Sequence, residues 1–396
     1  MTLSTSPDTT TTTDVISHPS LESSEKSFAS IDERQRKPKA FSEGHDGDLS
    51  SQFKGWMGLD EKSVDGALEF QSFQPKKWEE TDVDIKITHC GLCGSDLHVL
   101  RSGWVDQTPI LPRIFDKFQG PTEYPCCVGH EIVGEVVRVG TKVKKDIKVG
   151  DRLGVGPVVY ISYNGIFPNG CKSNGGFANY CRVPGDSTIL IPHGLSSSAA
   201  APMLCAGITA FVPLSEHGAG PGKRVGIIGI GGLGHFAVLF ARALKCDQVV
   251  AISRRQSKKS DALKLGADLY VATADEPDWA VKYAHSLDLI ISTVSSSDMP
   301  LNDYLNLLRT KGRFCQIGMP DDPLPPLEVA GLIERGISIG FNDIGTIKEV
   351  EEMLQFAVKE DIKPWIETRR MKDVNEVLKE MGEGKMRYRY VLVNED

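Results

Sequence analysis

Three separate segments of the sequence carry cysteine or histidine side chains that could hold a metal ion. Cys90 and Cys93 form a Cys-x-x-Cys pair, His130 stands in a Gly-His-Glu triplet, and Cys205 lies in an apolar run. Thiolate and imidazole are ligands that Zn²⁺ prefers, and bound zinc can polarise a substrate oxygen. Each segment alone is ambiguous, because a Cys-x-x-Cys pair is common in redox sites and in structural zinc sites, while a lone His or Cys is usually a core residue.

A glycine-rich turn is the second chemical signal. Gly229, Gly231 and Gly234 form a G-x-G-x-x-G pattern between an apolar strand and a helix, with Gly232 and Leu233 inside it. The first glycine permits a tight turn, the second lets the backbone approach a pyrophosphate, and the third lets the helix pack closely on the strand. The helix N-terminus adds free amide groups. This context predicts a dinucleotide-binding turn.

The tip of the next strand bears on which dinucleotide binds. Sites for NAD usually place an Asp or Glu there, whereas this chain has Ser253, Arg254 and Arg255, followed by Lys258. A hydroxyl and several cations suit a 2′-phosphate, which favours NADP(H) as the cofactor. An ordinary solvated cluster of charges at a strand end is the alternative interpretation.

Two kinds of secondary structure must position these residues. From Phe53 to about Val212 short β-like runs are separated by turns, which indicates a β-rich domain; after Pro221 strands and helices alternate, which indicates a doubly wound parallel sheet and an α/β fold. The chain then ends in an amphipathic helix and a last strand. The predicted strands are 83–88, 132–139, 188–191, 224–228, 248–252, 287–291, 313–317 and 389–393, and the predicted helices are 233–244, 259–265, 302–308 and 349–358.

Composition excludes several function classes. A chain of 396 residues with 40% hydrophobic residues can build two packed domains, and a net charge of -8 with scattered cations argues against nucleic acid as a partner. Glycines interrupt the longest apolar run, 225–241, so no membrane-spanning segment is predicted. Nine cysteines in so long a chain, with no secretion signal, indicate a reducing, cytoplasmic location. Residues 1–50, rich in Ser and Thr, are predicted to be a disordered tail.

Taken together, the motifs resemble those of the medium-chain zinc alcohol dehydrogenases, and most closely the cinnamyl-alcohol-dehydrogenase-like branch, which depends on NADP. The resemblance covers nearly everything after Phe53. It implies a GroES-like catalytic domain over 51–206 and 346–396, a Rossmann NADP-binding domain over 207–345, and a homodimer. The motifs that carry it are CGLCGSDLH, VGHEIVGEVVRVG, KVGDRLGVG, GGFANY, AAPMLCAGIT, VGIIGIGGLGH, ALKLGAD, STVS and YRYVLV.

The resemblance assigns a role to each member of the possible metal site. Cys93, His130 and Cys205 would hold one catalytic zinc with an open fourth position, and Cys90 would not be a ligand. Asp96 matches the carboxylate that orients the ligating histidine. Glu131 matches the carboxylate that approaches the metal as ligands exchange.

Further residues match the family's proton relay and cofactor contacts. Ser95 and His98 match the relay that carries the alcohol proton outward. Thr209, Thr293 and Gly318 match positions that contact the cofactor. The implied reaction is hydride transfer between NADP(H) and a primary alcohol or aldehyde of an aromatic, cinnamyl-type or medium-chain kind.

The sequence also departs from the family in two places. The lobe of four closely spaced cysteines that holds a structural zinc is missing after KVGDRLGVG, and Cys171 and Cys181 lack the spacing for such a site, so no structural zinc is predicted. Residues 105–119 look like an insertion, which is either a loop beside the substrate cleft or an artefact of gene prediction. Trp104, just before them, is a candidate wall of the substrate pocket or a plain packing residue.

Two alternatives to an active enzyme remain open. The lost lobe and the insertion are compatible with a non-catalytic, degenerate NADP(H)-binding homologue. A zinc-free quinone or enone reductase on the same fold is the other alternative, although such a protein would have no reason to keep Cys93, His130 and Cys205 together.

Overall fold

The computed structural model describes residues 49–103, 121–157, 162–320 and 322–395, which all belong to one compact unit, Ser42–Asp396. The predicted tail 1–50 lies outside these residues except for Leu49 and Ser50, which begin a short 3₁₀ turn at Leu49–Gln52. The described strands are β1 (Lys54–Gly58), β2 (Glu69–Ser72), β3 (Asp82–Gly91), β4 (Cys126–Cys127), β5 (Glu131–Val139), β6 (Arg152–Val155), β7 (Tyr180–Pro184), β8 (Ile189–Leu190), β9 (Arg224–Ile228), β10 (Gln248–Ser253), β11 (Leu269–Ala272), β12 (Leu287–Ser292), β13 (Leu308–Gln316), β14 (Ser338–Phe341), β15 (Ile366–Arg370) and β16 (Arg389–Val393). The described α-helices are α1 (Gly94–Leu100), α2 (Ser197–Pro202), α3 (Ile208–Glu216), α4 (Gly234–Ala243), α5 (Lys259–Lys264), α6 (Trp279–Lys282), α7 (Leu301–Asn306), α8 (Val329–Arg335), α9 (Ile347–Lys359) and α10 (Val374–Gly382).

A six-stranded parallel sheet forms the second half of the molecule. Its strand order is β11-β10-β9-β12-β13-β14, so β9 and β12 lie side by side where the order reverses. Ligands of open α/β sheets bind outside the carboxyl ends of strands at such a point. The strands read as continuous apolar runs because helices cover the sheet; Val225 to Ile228 in β9, for example, are all buried. The glycine-rich turn follows β9 and therefore lies at the point of reversal.

A mainly antiparallel sheet carries most of the first half. Its order is β15-β16-β3-β5-β6-β8, with β7 also paired to β3, and a three-stranded sheet β2-β1-β4 lies beside it. The C-terminal strand β16 pairs antiparallel with β3, and Leu392 lies opposite Cys90. The end of the chain thus returns to the region where the Cys-x-x-Cys pair leaves its strand. The domain boundaries 51–206, 207–345 and 346–396 stay predictions.

A long buried helix joins the two halves, and the sequence analysis missed it. The helices α2 and α3 are continuous through a π-helical turn, Met203–Gly207. Among the described residues, Ser197–Glu216 is long and apolar enough to cross a membrane by length and composition alone, but 89% of its most apolar window is buried inside the protein. Such burial is that of a core helix packed between domains, which has no polar face to reveal its period.

Other differences from the predicted elements have local causes. The predicted helix 302–308 ends at Asn306, because Leu308 already pairs with Leu287 as the first residue of β13. The short edge strands β11 and β14, which the sequence did not reveal, complete the six-stranded sheet. The helix α9 begins at Ile347, directly after Thr346, whose side chain accepts from the backbone N–H of Glu349. Its capping box explains that start.

Candidate metal and cofactor site

Cys93 is held at the start of a short helix. It is the residue before α1 and has an extended backbone, while the Asp96 carboxylate accepts a hydrogen bond from its N–H at 2.9 Å. This is the geometry of a helix N-terminus, in which a carboxylate satisfies an amide that has no partner within the helix. The cap therefore fixes the backbone from which the Cys93 side chain projects.

His130 and Glu131 sit where β5 begins. Gly129 precedes them with a φ of 102°, and a Cβ there would lie 2.6 Å from the Phe177 ring. Only glycine takes this conformation without strain at so close an approach. The Gly-His-Glu triplet thus reflects a backbone requirement, and it delivers two buried polar side chains to one place.

Cys205 comes from the π-helical turn between α2 and α3. Pro202, just before this turn, has no N–H to donate to the helix, and an extra residue per turn changes the direction of the following side chains. Such turns occur often at functional sites. The Cys205 Sγ lies 4.0 Å from the Cys93 Sγ.

Four side chains meet in one cluster. In the part of the chain that the structure describes, Cys93, His130, Glu131 and Cys205 form the group of possible metal ligands, and their ligand atoms all lie within 4.8 Å of one another. The predicted ligand set Cys93, His130 and Cys205 is therefore brought together, with Glu131 beside it. Cys90 lies outside this cluster. Its fully buried thiol instead donates to the Gly91 carbonyl.

The two thiols of the cluster are electrostatically unequal. The pKa of Cys93 lies well below its usual range because Cys205 donates a hydrogen bond to it and His130 adds another, although burial opposes the shift. The pKa of Cys205 is raised because it is the donor and because it is buried. Cys93 therefore ionises more easily than Cys205, and the thiolate is the form of cysteine that binds a metal.

Asp96 ties the ligands together from behind. This fully buried carboxylate accepts from the Cys93 N–H, from the Gly129 N–H at 3.0 Å and from His130 Nδ1 at 2.9 Å. Because Nδ1 is engaged, Nε2 is the nitrogen left to face the two thiols. The geometry therefore agrees with the orienting role proposed for Asp96.

Arg389 was missed by the sequence analysis and pairs with Glu131. Both side chains are buried, and the Arg389 guanidinium donates to Glu131 Oε1. Glu131 Oε2 is buried with no hydrogen-bond partner, and burial raises the pKa of Glu131 to about 7 although Arg389 opposes that shift. The YRYVLV motif contains Arg389, but nothing in the sequence placed it near residue 131. The pairing of the C-terminal strand β16 with β3 brings Arg389 to this place.

The residues present fit a zinc ion. Two sulfurs, one imidazole nitrogen and one nearby carboxylate are donors that zinc accepts, and the group is buried. Glu131 Oε2, which is buried and has no hydrogen-bond partner, would gain a favourable interaction with a cation bound in the cluster. When the thiols ionise, the cluster and Asp96 carry more negative charge than Arg389 balances, so a divalent cation compensates the excess.

The glycine-rich turn has the shape of a phosphate cradle. Gly229 has a φ of 86°, and Gly234 packs so closely that a Cβ there would fall 1.8 Å from the Gly229 carbonyl oxygen. A Cβ on Gly231 would meet open space, which leaves room for a ligand. A Cβ on Gly232 would lie 3.1 Å from the Arg389 guanidinium. Arg389 therefore lies between Glu131 and the turn. Leu233 caps α4.

The chain matches known proteins over this whole arrangement. A family model described as zinc-binding dehydrogenase matches residues 232–359, and one described as alcohol dehydrogenase GroES-like domain matches residues 79–193. The chain is 37% identical to NADP-dependent alcohol dehydrogenase 6 of Saccharomyces cerevisiae, over 82% of this chain and 92% of that protein. It is 36% identical to cinnamyl alcohol dehydrogenase 2 of Rauvolfia serpentina, over 85% and 94%.

Solved structures agree. Cinnamyl alcohol dehydrogenase from Sorghum bicolor superposes with a TM-score of 0.75 at 32% identity, covering 86% of this chain and 97% of that one. CAD from Helicobacter pylori, complexed with NADP(H), gives 0.74 at 30% identity over the same shares. The chain belongs to the zinc-binding alcohol dehydrogenase family. The predicted family, fold class and type of reaction, alcohol oxidoreduction, are confirmed.

Three of the dehydrogenase's predicted cofactor residues lie at the carboxyl ends of strands. Thr293 follows β12, and its hydroxyl donates to the Gly229 carbonyl at 2.9 Å, which locks the turn. Gly318 lies just after β13. Its backbone packs so closely on Thr293 that a Cβ on Gly318 would lie 2.5 Å from the Thr293 carbonyl oxygen. Ser253 ends β10 beside the turn. Thr209 is instead buried in α3.

The predicted 2′-phosphate cations lie at the tip of β10. Arg254 and Arg255 are exposed. Lys258 is half-buried, and its Nζ donates to the Ile230 carbonyl of the glycine-rich turn at 2.6 Å. Burial, together with Arg387 and Arg254, lowers the pKa of Lys258. Lys258 thus stabilises the turn directly, while the two arginines stay available to a ligand.

The predicted proton relay begins at the cluster. Ser95 Oγ lies 3.8 Å from Cys93 Sγ in the first turn of α1. His98, one turn later, contacts the Arg101 guanidinium through Nδ1 at 2.7 Å. The relay role of both residues stays a proposal.

His235 and Tyr388 were also missed. His235 is fully buried, its Nδ1 contacts the Gly232 carbonyl at 2.9 Å, and its ring stacks on Tyr388 with an interplanar angle of 12°. Burial, aided by Arg389, lowers the pKa of His235 to about 3. Tyr388 in turn donates to Asp261 of α5 at 2.8 Å. A neutral histidine therefore braces the glycine-rich turn against the C-terminal strand.

The departures from the family lie partly outside the described residues. Trp104 and the insertion 105–119 are among the residues not described. Cys171 is half-buried, and Cys181 is buried in β7. All nine cysteines are described, and each is a free thiol. The expectation of no structural zinc stays a prediction.

Proposed function

We propose that this chain is a zinc-containing, NADP(H)-dependent dehydrogenase that interconverts primary alcohols and aldehydes of an aromatic, cinnamyl-type or medium-chain kind. The observation that carries the proposal is the cluster of Cys93, His130 and Cys205 with its orienting carboxylate Asp96. The names of relatives that carry NADP dependence support the cofactor, as do the exposed Arg254 and Arg255.

The protein's own residues divide the work of the reaction. Cys93, His130 and Cys205 would hold the zinc, and Asp96 fixes the imidazole through Nδ1. When bound, the zinc polarises the substrate oxygen and the nicotinamide accepts or gives the hydride. Ser95, beside the cluster, accepts the hydroxyl proton of the alcohol and passes it toward His98.

The hydride and the proton of the alcohol leave by different routes. In oxidation the C–H bond breaks, its electron pair goes with hydrogen to NADP⁺, and the O–H proton leaves through the relay, giving aldehyde, NADPH and a proton. Reduction is the reverse. Ser292, Thr293 and Gly318 line the strand ends where the nicotinamide half of a dinucleotide would lie, since ligands bind at the carboxyl ends of such strands.

The first test combines metal analysis with a hydride-transfer assay. Elemental analysis of purified protein is expected to give about one zinc per chain, the number for a catalytic site alone. Cinnamaldehyde and a medium-chain aldehyde should each be reduced with NADPH in preference to NADH. Folded protein without zinc, never exposed to a chelator, would overturn the proposal and favour the zinc-free reductase; zinc-loaded protein without hydride transfer would favour the non-catalytic homologue.

We also propose that the chain forms a homodimer through one edge of the parallel sheet. Strand β14 is that edge, and exposed apolar side chains of β14 and the neighbouring α8 surround it: Phe341 is 72% and Ile333 74% exposed. An edge strand with apolar neighbours is a template for pairing, and a twofold axis lets one such edge meet itself. Light scattering should give a dimer, and Ile333→Asp with Phe341→Asp a monomer. A monomeric wild-type protein would contradict it.

The small-molecule substrate follows from the family. A cytoplasmic location, and the expectation that neither nucleic acid nor a membrane is a partner, stay predictions.

A further inference from the structure

The segment that stands where the family's cysteine-rich lobe is missing is anchored on both sides of one tyrosine. Ser162 Oγ donates to the Gly156 carbonyl at 3.0 Å, and Asn164 Oδ1 accepts from the Glu123 N–H at 3.0 Å. Tyr163, between them, is 8% exposed. Two short hydrogen-bonded anchors therefore point its side chain inward.

Tyr163 contacts the same imidazole in two ways. Its ring meets the His130 ring edge-on, with 5.3 Å between centroids and 68° between planes. Its hydroxyl lies 2.8 Å from His130 Nδ1. Edge-to-face packing fixes the plane of a ring, and a hydrogen bond at Nδ1 fixes its rotation within that plane.

The protons at this point can be assigned. With Nε2 facing the thiols, Nδ1 carries a proton and finds Asp96 Oδ1 at 2.9 Å and the Tyr163 oxygen at 2.8 Å. A phenol oxygen can accept as well as donate a hydrogen bond, so the Nδ1 proton lies between the Asp96 carboxylate and the Tyr163 phenol.

We infer that Tyr163 is a positioning residue of the metal site, acting on the His130 imidazole that Asp96 also holds. The inference rests on the proposed function, because it concerns the same metal. Outer partners of a ligating histidine typically contribute a tenfold to a hundredfold in metal affinity. A segment that looked in the sequence like a loss of structure thereby adds a contact to the site.

The test is zinc affinity in the full-length protein, measured by chelator competition, together with the visible spectrum of the cobalt-substituted form. Tyr163→Phe keeps the ring and removes the hydroxyl, and it should weaken zinc binding about tenfold and shift the cobalt bands. Tyr390→Phe is the matched control: it removes a phenol bond to the Glu380 carboxylate from a buried tyrosine whose side chain is not in the cluster. It should leave both readouts unchanged.

A double-mutant cycle separates positioning from general packing. Because Tyr163 and Asp96 both contact His130 Nδ1, Tyr163→Phe should change zinc affinity by a different factor in an Asp96→Asn background than in the wild type. Zinc binding within twofold of wild type in Tyr163→Phe, with an unchanged cobalt spectrum, would overturn the inference alone. Wild-type protein that binds no zinc would overturn the proposed function and this inference with it.

Discussion

The metal cluster and the glycine-rich turn are built in opposite ways. Cys93 and Cys205 lie 112 positions apart, and each comes from a different irregular piece of backbone. The turn is one segment, 229–234, shaped by its own glycines. A site made within one segment is readable as a local pattern, whereas a site assembled from distant segments needs the fold to exist first. The cluster should therefore be the more sensitive of the two to a single substitution.

A single arginine lies between the metal cluster and the glycine-rich turn. Arg389 reaches Glu131 on one side and Gly232 on the other, and it arrives on the last strand of the chain. Neither the cluster nor the turn sets the position of the other on its own. Their relative position depends on the pairing of β16 with β3.

The largest expected effect is the loss of a ligand. Cys205→Ser should abolish zinc binding and lower kcat/KM by about a thousandfold or more, since three protein ligands are the usual minimum for a catalytic zinc. The turn should survive, so NADPH binding, followed by fluorescence, should change little. Cys90→Ser is the control, because Cys90 is equally buried and outside the cluster. Equal zinc loss in both would contradict the ligand assignment.

Removing the charge behind the cluster should have the next largest effect. Asp96→Asn keeps the size of the side chain but weakens the three hydrogen bonds that one buried carboxylate accepts. Zinc affinity is expected to fall about tenfold to a hundredfold. Chelator competition measures this, and affinity equal to wild type would show that the cluster does not depend on its orienting carboxylate.

Substitutions beside the glycine-rich turn should affect the binding of one cofactor and not of the other. Arg254→Asp with Arg255→Asp should weaken NADPH by about tenfold or more while NADH changes little, because only the 2′-phosphate meets those cations. Lys264→Asp, an exposed change of the same charge on α5, should alter neither. Equal losses for the two cofactors would remove the 2′-phosphate assignment and leave a solvated charge cluster.

The smallest expected effect is on stability. The pKa of His235 is about 3 in the folded protein because of burial, against about 6.5 unfolded. Between these values the unfolded chain binds the extra proton, so stability falls as pH drops from about 6.5 toward 3. His235→Gln should remove about 2 kcal/mol of the loss between pH 7 and 5. Urea unfolding at both pH values measures it, and equal losses in variant and wild type would contradict the buried neutral histidine.

Sequence reasoning recovered the elements with a clear period and missed those without one. The strands β3, β5, β9, β10, β12 and β13 were predicted because their apolar runs are bounded by turns. The helix Ser197–Glu216 was missed, because a helix buried on all sides shows no alternation of faces. Edge strands β11 and β14 are too short for a pattern of their own.

The candidate site shows the same division. Gly229, Gly231 and Gly234 could be assigned from spacing, because the chemistry of a turn is local. Cys93, His130 and Cys205 needed the resemblance to the family, since each alone has an ordinary structural explanation. Arg389, Tyr163 and His235 had no usable signal, because their function lies in what they touch across the fold.

What the sequence determined by itself was the kind of backbone at each point: a glycine where φ is positive, a carboxylate where a helix amide is unsatisfied, an apolar run where a strand is buried on both faces. These depend on neighbours in the chain. The tertiary structure decided which side chains meet. Two thiols, an imidazole and a carboxylate come within 4.8 Å, and a tyrosine and an arginine from other segments close around them, because sheet pairing brings distant residues to one place.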